Sequence, residues 1–195
     1  MTGPGTLARR DAVAALLADR EHLLVVTGLG SPTYDVHAAG DHDGNFYLWG
    51  AMGGAALVGL GLAQAQPGRP VLVITGDGEQ LMGLGALATI GVARPRNLTL
   101  AVLDNQQYGE TGMQASHTAA IDLVKVAEAC GFAAARAVRS MDEIAAARRS
   151  LAEPSAGPRL LVIRISQENP PRSLPSRDAV HVKNRFRAHL GLPQG

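Results

Sequence analysis

Two short clusters in this chain could act together on an anionic ligand: Gly76-Asp77-Gly78 and Asp104-Asn105. Asp77 offers a hard carboxylate oxygen to a divalent cation such as Mg²⁺, which demands near-octahedral oxygen coordination. Asn105 can extend that coordination with its amide oxygen and Gln107 with its carbonyl. A neutral amide also limits the negative charge crowding a bound phosphate. Gly76 permits a sharp turn, and Gly78 leaves backbone N–H groups open to a phosphate. Taken alone, Gly-Asp-Gly describes a turn whose Asp caps a helix. The Asp-Asn pair, one helix and one strand later, makes it a candidate site for a metal-bridged diphosphate.

The elements that must hold these residues can be read from apolar periodicity. Short β-branched runs bounded by Gly or Pro predict strands at Leu23–Thr27, Val71–Thr75, Leu98–Leu103 and Leu160–Ile165. Helix-period segments lie near Leu7–Ala18, Gly50–Ala65, Glu79–Ala93, Ile121–Cys130 and Met141–Leu151. Strands apolar on both faces and alternating with helices predict an α/β fold, a mostly parallel sheet with helices on both faces. Ligands of such sheets bind beyond the carboxyl ends of the strands. There the sequence places Gly28-Leu29-Gly30-Ser31, Gly76-Asp77-Gly78 and Asp104-Asn105. A proline-rich connector, 166–178, leads to a basic helix over 178–190.

Composition narrows the function classes. The 195 residues suit one domain over 1–195, and 46% hydrophobic with 18% charged residues is globular. A net charge of +1 gives no reason to expect a nucleic-acid or anionic-membrane partner. Cys130 is the single cysteine, so no internal disulfide forms and a cytoplasmic location is expected. The N-terminal segment mixes acidic with apolar residues, as an amphipathic helix does and a signal peptide does not. The apolar run Leu48–Ala65 is glycine-rich and reads as a buried helix rather than a membrane span.

Several other side chains could carry chemistry. Gly28 and Gly30 can present N–H groups to the distal phosphate beside the Ser31 hydroxyl, although the third glycine of a dinucleotide fingerprint is missing. Glu79 opens a helix, where the dipole stabilises an acid; that structural role is favoured because a carboxylate facing a diphosphate is repelled. His37, His42 and His117 could each donate a proton or bind a substrate anion. His181 and His189 are expected to be solvated on the terminal helix. Asp41-His42-Asp43 lacks a reliable metal-ligand spacing.

The Gly76-Asp77-Gly78…Asp104-Asn105 pattern resembles the diphosphate motif of thiamine-diphosphate (ThDP) enzymes. Asp104 replaces the first Asn of that motif, and Asn105 keeps the ligand position. Phe46-Tyr47-Leu48-Trp49-Gly50-Ala51-Met52-Gly53 resembles the segment preceding the motif in ThDP-dependent 2-oxo acid decarboxylases. By that resemblance Gly50 gives a carbonyl to the aminopyrimidine, and Met52 wedges between the cofactor's rings. Tyr108 and Glu110 then belong to a loop that closes over the diphosphate and borders the substrate. The likeness runs from Thr27 to about Ile165 and corresponds to the diphosphate-binding (PP) domain. With DNQQYGETG and the Lys183-Asn184-Arg185-Phe186 helix, it is similar to the β subunits of sulfopyruvate decarboxylase and the C-terminal part of phosphonopyruvate decarboxylase.

The resemblance implies ThDP and Mg²⁺ as cofactors and a pyrimidine-binding (PYR) α subunit as partner, supplying the activating glutamate in an α2β2 or larger hetero-oligomer. The implied reaction turns a short anionic 2-oxo acid into an aldehyde and CO₂, with His117 or His37 as the proton donor. The alternatives are an acetolactate-synthase-like carboligase subunit and a non-catalytic ThDP-binding module.

Overall fold

The computed structural model of the chain describes residues 5–20, 22–153 and 155–193, so the outer ends of the expected 1–195 domain lie outside the described residues. Six strands form one sheet: β1 (Leu24–Thr27), β2 (Asn45–Tyr47), β3 (Val71–Gly76), β4 (Leu98–Asp104), β7 (Ala134–Val138) and β8 (Arg159–Arg164). Their order is β2-β1-β3-β4-β8-β7, and every pairing is parallel. A two-stranded antiparallel hairpin, β5 (Gln107–Tyr108) with β6 (Gln114–Ala115), stands apart from it.

Alternate strand residues feed two cores, because successive side chains point to opposite faces. Val25, Leu72, Ile74, Ala101 and Ile163 pack with α1 (Arg9–Leu17), α2 (Ser31–Ala38) and α7 (Met141–Leu151). Val26, Val73, Leu100, Val102 and Val162 pack with α3 (Ala55–Ala65), α5 (Ala86–Ala93) and α6 (Leu123–Ala129). The short α4 (Asp77–Met82) follows β3 at the sheet's carboxyl edge. The last helix, α8 (Ala179–His189), joins both cores through Val182 and Phe186. Among the described residues no helix is long and apolar enough to cross a membrane.

From β1 the chain steps outward to β2, and from β3 it steps the other way to β4. The carboxyl ends of β1 and β3 therefore flank the switch in strand order, where doubly wound sheets open a crevice. The N-terminal segment reaches the same edge: Leu7 bridges Ile165 in parallel, and Ser166 N–H donates to Leu7 O at 2.8 Å.

The four expected strands form within a residue of their predicted bounds, whereas other elements differ from expectation. Residues 31–38, outside every expected helix, form α2, with Pro32 in its first turn and Gly30 before it at φ +76°. The expected helix Glu79–Ala93 is two helices. The chain breaks at Gly83, whose built Cβ would stand 2.2 Å from Gly53 O, so only glycine lets the 50–54 loop approach there. The expected helix Gly50–Ala65 begins at Ala55, because Gly50, Ala51 and Gly53 all take positive φ.

Candidate functional site

Asp77 follows β3 directly and is 3% exposed. Ser116 Oγ donates a very short hydrogen bond to its Oδ2, and Thr118 Oγ1 lies 3.2 Å from the same oxygen. Thr118 also reaches Asp104 Oδ1 at 2.9 Å, yet it has a single proton to give. Asp104 is neutralised by Arg164 through its other oxygen. Among the described residues no cationic side chain pairs with Asp77. Burial, and then the charge of Asp104, push the Asp77 carboxyl up to about 6. A buried carboxylate without a counter-charge is the environment a divalent cation completes.

Two further oxygen-bearing residues line the same cavity. Asn105 is 8% exposed, and its Oδ1 accepts the Gln107 N–H at 2.9 Å, which fixes the amide and leaves oxygen capacity free. Gln107 Oε1 is buried with no partner among the described residues. Asp77, Asn105 and Gln107 line one cavity together with Gly76, Gly78, Ser31 and Met52. This donor set, all oxygen with one carboxylate, suits Mg²⁺. No side chain comes within 4 Å of a Cβ built on Gly76, so that backbone is open. At Gly78 the same construction meets Tyr108 Cε1 at 2.3 Å; its missing side chain makes room for the Tyr108 ring.

Glu79 also lines the cavity, but its carboxylate is engaged by backbone donors: Leu29 N–H at 2.9 Å and Gly53 N–H at 3.3 Å. It ties the loop after β1 and the 50–54 loop to α4, as the repulsion argument expects. Burial raises its pKa. Gly28 is not among the cavity-lining residues; a Cβ there would stand 1.8 Å from Glu79 Oε2, so its bareness admits Glu79 rather than a phosphate. Thr33 holds this loop, donating to Gly28 O at 2.8 Å and contacting Thr27 Oγ1 at 2.6 Å.

The remaining candidates separate. Glu110 lines the cavity, accepts from Ser31 Oγ at 3.4 Å and pairs with Arg172 at 3.0 Å. His117 borders an adjoining cleft with Met52, Gly78 and Tyr108. His37 is not at the cavity: its Nδ1 lies 2.7 Å from Ser173 Oγ and its ring is edge-on to Tyr47. Gly50 does not line it either. His189 is not simply solvated, since its Nε2 lies 2.9 Å from Arg69 NH2 and its ring packs on His42. The connector 166–178 runs along this edge, with Gln167 at 3.5 Å from Asn105 O and Ser176 O accepting from Trp49 Nε1 at 2.8 Å.

Sequence reasoning missed Ser116, Thr118, Arg164 and Arg9. The last, at the cavity wall, had a visible signal: it shares the stripe of Ala12, Val13, Leu16 and Leu17, the buried face of α1. Ser116 and Thr118 carry no such mark, for two hydroxyls one residue apart are common in loops.

Comparison with known proteins agrees with this geometry. Residues 34–163 match the family described as thiamine pyrophosphate enzyme, C-terminal TPP binding domain. Phosphonopyruvate decarboxylase of Streptomyces viridochromogenes is 40% identical over 97% of this chain and 49% of its own length. The chain thus spans about half of that curated relative. Sulfopyruvate decarboxylase subunit beta of Methanococcus maripaludis is 32% identical over 92% of this chain and 96% of its own length. Among solved structures, benzoylformate decarboxylase from Polynucleobacter necessarius shares the fold with a TM-score of 0.70 at 20% identity, over 85% of this chain and 34% of that one.

Proposed function

Because the chain belongs to the thiamine pyrophosphate enzymes, as their C-terminal TPP-binding domain, we propose that it is the diphosphate-binding half of a ThDP- and Mg²⁺-dependent decarboxylase. Residues 1–195 form its single PP domain, with the connector and α8 as part of it. The observation that carries the reading is Asp77, a buried carboxylate without a counter-charge among the described residues, on one cavity wall with Asn105 and Gln107. In this reading Asp77 and Asn105 hold Mg²⁺ with Gln107, Ser116 and Thr118 aim the Asp77 carboxylate, and Arg164 offsets Asp104. Bound there, ThDP supplies the electron sink for loss of CO₂ from a 2-oxo acid. Met52 backs the cofactor, and Tyr108 and Glu110 border the substrate. Of the two candidate proton donors, His117 is favoured because it borders the adjoining cleft, whereas His37 lies against Ser173.

The substrate class follows from the relatives, whose names specify short 2-oxo acids with a phosphonate or sulfonate group. A partner with a PYR domain, in an α2β2 or larger assembly, is favoured by two features. The cavity is about 160 Å³ and half open to its surroundings, below the roughly 300–1,000 Å³ of complete ligand sites. Met52 on its wall and Met82 in the adjoining cleft stand 39% and 68% exposed.

The test is to assemble the chain with a PYR-domain chain co-purified from its native extract, add Mg²⁺ and ThDP, and follow CO₂ release. Phosphonopyruvate and sulfopyruvate are the first substrates to supply. The assembly should decarboxylate one of them, and the isolated chain should bind ThDP only weakly. Submicromolar ThDP affinity of the chain alone, or an assembly inert toward every 2-oxo acid, would overturn the proposal.

A further inference from the structure

Arg9 is a cation at the wall of the cavity with donors to spare. It lines the cavity and is 4% exposed, and its Nε and NH2 are shut from solvent. Its Nε forms a 2.9 Å ion pair with Asp35 Oδ2, which leaves NH2 without a partner among the described residues. Asp35 is shared, since Arg10 Nε donates to its Oδ1 at 3.3 Å. Two guanidinium groups thus share one carboxylate; Arg10 is 29% exposed and also donates to Pro171 O, whereas Arg9 is closed to water and among the described residues has only Asp35 as a counter-charge. Buried charges are retained when something pairs with them.

The chain goes to some length to put Arg9 there. The Leu7–Ile165 bridge straps the N-terminal segment to the end of β8, and Gly5 lies so close that a Cβ would stand 2.1 Å from the Arg164 carbonyl. Arg9 then falls on the buried stripe of α1, against Asp35 of α2 and beside Pro32 and Ser31, which share the cavity wall with it. It therefore meets the cavity at the first turn of α2, with Asp77 and Asn105 on another part of the same wall.

We infer that Arg9 is an oxyanion-binding residue of this cavity, receiving a tetrahedral phosphate-type group, of which the terminal phosphate of the bound diphosphate is the source its position favours. The inference rests on the diphosphate reading of the site and adds to it a residue from outside every motif that identified the family. A guanidinium fork suits such a group because it gives parallel charge-assisted hydrogen bonds.

The experiment uses the full chain and reads ligand-induced thermal shifts across millimolar titrations, which report weak affinities without turnover. Mg²⁺ with ThDP, Mg²⁺ with inorganic pyrophosphate, and methylphosphonate added over saturating Mg²⁺ and ThDP are the probes. Arg9→Gln can lose stability by leaving Asp35 with Arg10 alone, so Arg9→Gln/Asp35→Asn, which removes both charges, is measured beside it, each against its own ligand-free midpoint. Both variants should bind ThDP and pyrophosphate about tenfold to a hundredfold more weakly than the parent, with Arg9→Lys in between.

If those affinities hold while methylphosphonate weakens, the same oxyanion site serves the substrate instead. Unchanged affinity for all probes, in a protein whose ThDP binding Asp77→Ala abolishes, overturns the role of Arg9 and leaves the proposed function standing. Binding indifferent to Asp77→Ala, or no shift by ThDP or pyrophosphate in the parent, overturns both.

Discussion

Asp77 keeps its charge at a cost to the ligand-free protein. Burial lifts its carboxyl from an ordinary 3.8 to about 6, so between those values the folded chain holds a proton that the unfolded chain has released. The stabilising advantage of the protonated form is complete below the lower value and gone above the upper one. At pH 7.5 the bare carboxylate is therefore a burden that a bound cation relieves. Asp77→Asn should raise the metal-free stability by about 1–2 kcal/mol at pH 7.5, which is roughly 2–8 °C in midpoint. The same change should abolish Mg²⁺-dependent retention of ThDP. Thermal melts of both proteins at pH 7.5 and pH 4 check the cause, because the gain must shrink at the lower pH. A gain equal at both values would remove burial of the charge as its origin.

Among the elements, close approach of α5 to the end of α6 depends on Gly91. A Cβ there would stand 1.7 Å from Cys130 O, which is backbone and has little room to give. Alanine should gain roughly 1 kcal/mol in helix propensity and lose more than that to overpacking, about 1–3 kcal/mol. At Gly61 of α3 no atom lies within 4 Å of the built Cβ, so alanine should stabilise by about 0.5–1 kcal/mol. Opposite signs in parallel denaturant titrations are expected, and two gains would mean that α5 and α6 do not meet this closely.

The same contrast between local and distant information explains what could be read in advance. β1, β3, β4 and β8 are covered on both faces and carry dense Leu, Ile and Val, so their sequence marks them. β2 is three residues at one edge, and β7, at the other, is Ala-Ala-Arg-Ala-Val with mostly exposed or half-exposed residues, a composition that equally suits a helix. Helix α2 was hidden because its polar residues are buried through partners outside the helix, Thr33 through Thr27 and Gly28 just before it and Asp35 through Arg9 and Arg10 of α1. In the site, Asp77 and Asn105 belong to a motif written in local spacing. Ser116 with Thr118, Arg164 and Arg9 converge from three separate segments, and nothing local to any segment names the others.

At the scale of the whole molecule, the C-terminal helix is fastened to the sheet edge by groups that tolerate only one protonation state. Arg185 of α8 pairs with Asp41 at 2.7 Å, and Phe186 stacks edge-on with Phe46 of β2. His42 and His189 also meet at this fastening, with ring centroids 5.3 Å apart. His42 Nδ1 accepts the Gly44 N–H at 2.9 Å, and His189 Nε2 faces a donor on Arg69, so the contacts require unprotonated nitrogens. Burial lowers both pKa values below the usual 6.5; Arg20 and the neighbouring ring add to this at His42, and Arg69 and Arg20 at His189, against the opposing charge of Asp43 at both and of Asp41 at His42. A depressed histidine is neutral in the folded chain while the unfolded chain takes up a proton, so its stabilising contribution is whole above about 6.5 and drains away as pH falls through the folded values. Asp77 titrates in the same range with the opposite sign, and for that reason the informative quantity is a difference between two proteins that both contain it. His189→Gln keeps an acceptor for Arg69 and cannot be charged. Urea titrations at intervals from pH 7.5 to pH 5 should show the parent losing stability relative to this variant once pH drops below 6.5. A gap between the two that stays constant across the range would place the pH dependence of folding elsewhere than in the fastening of α8.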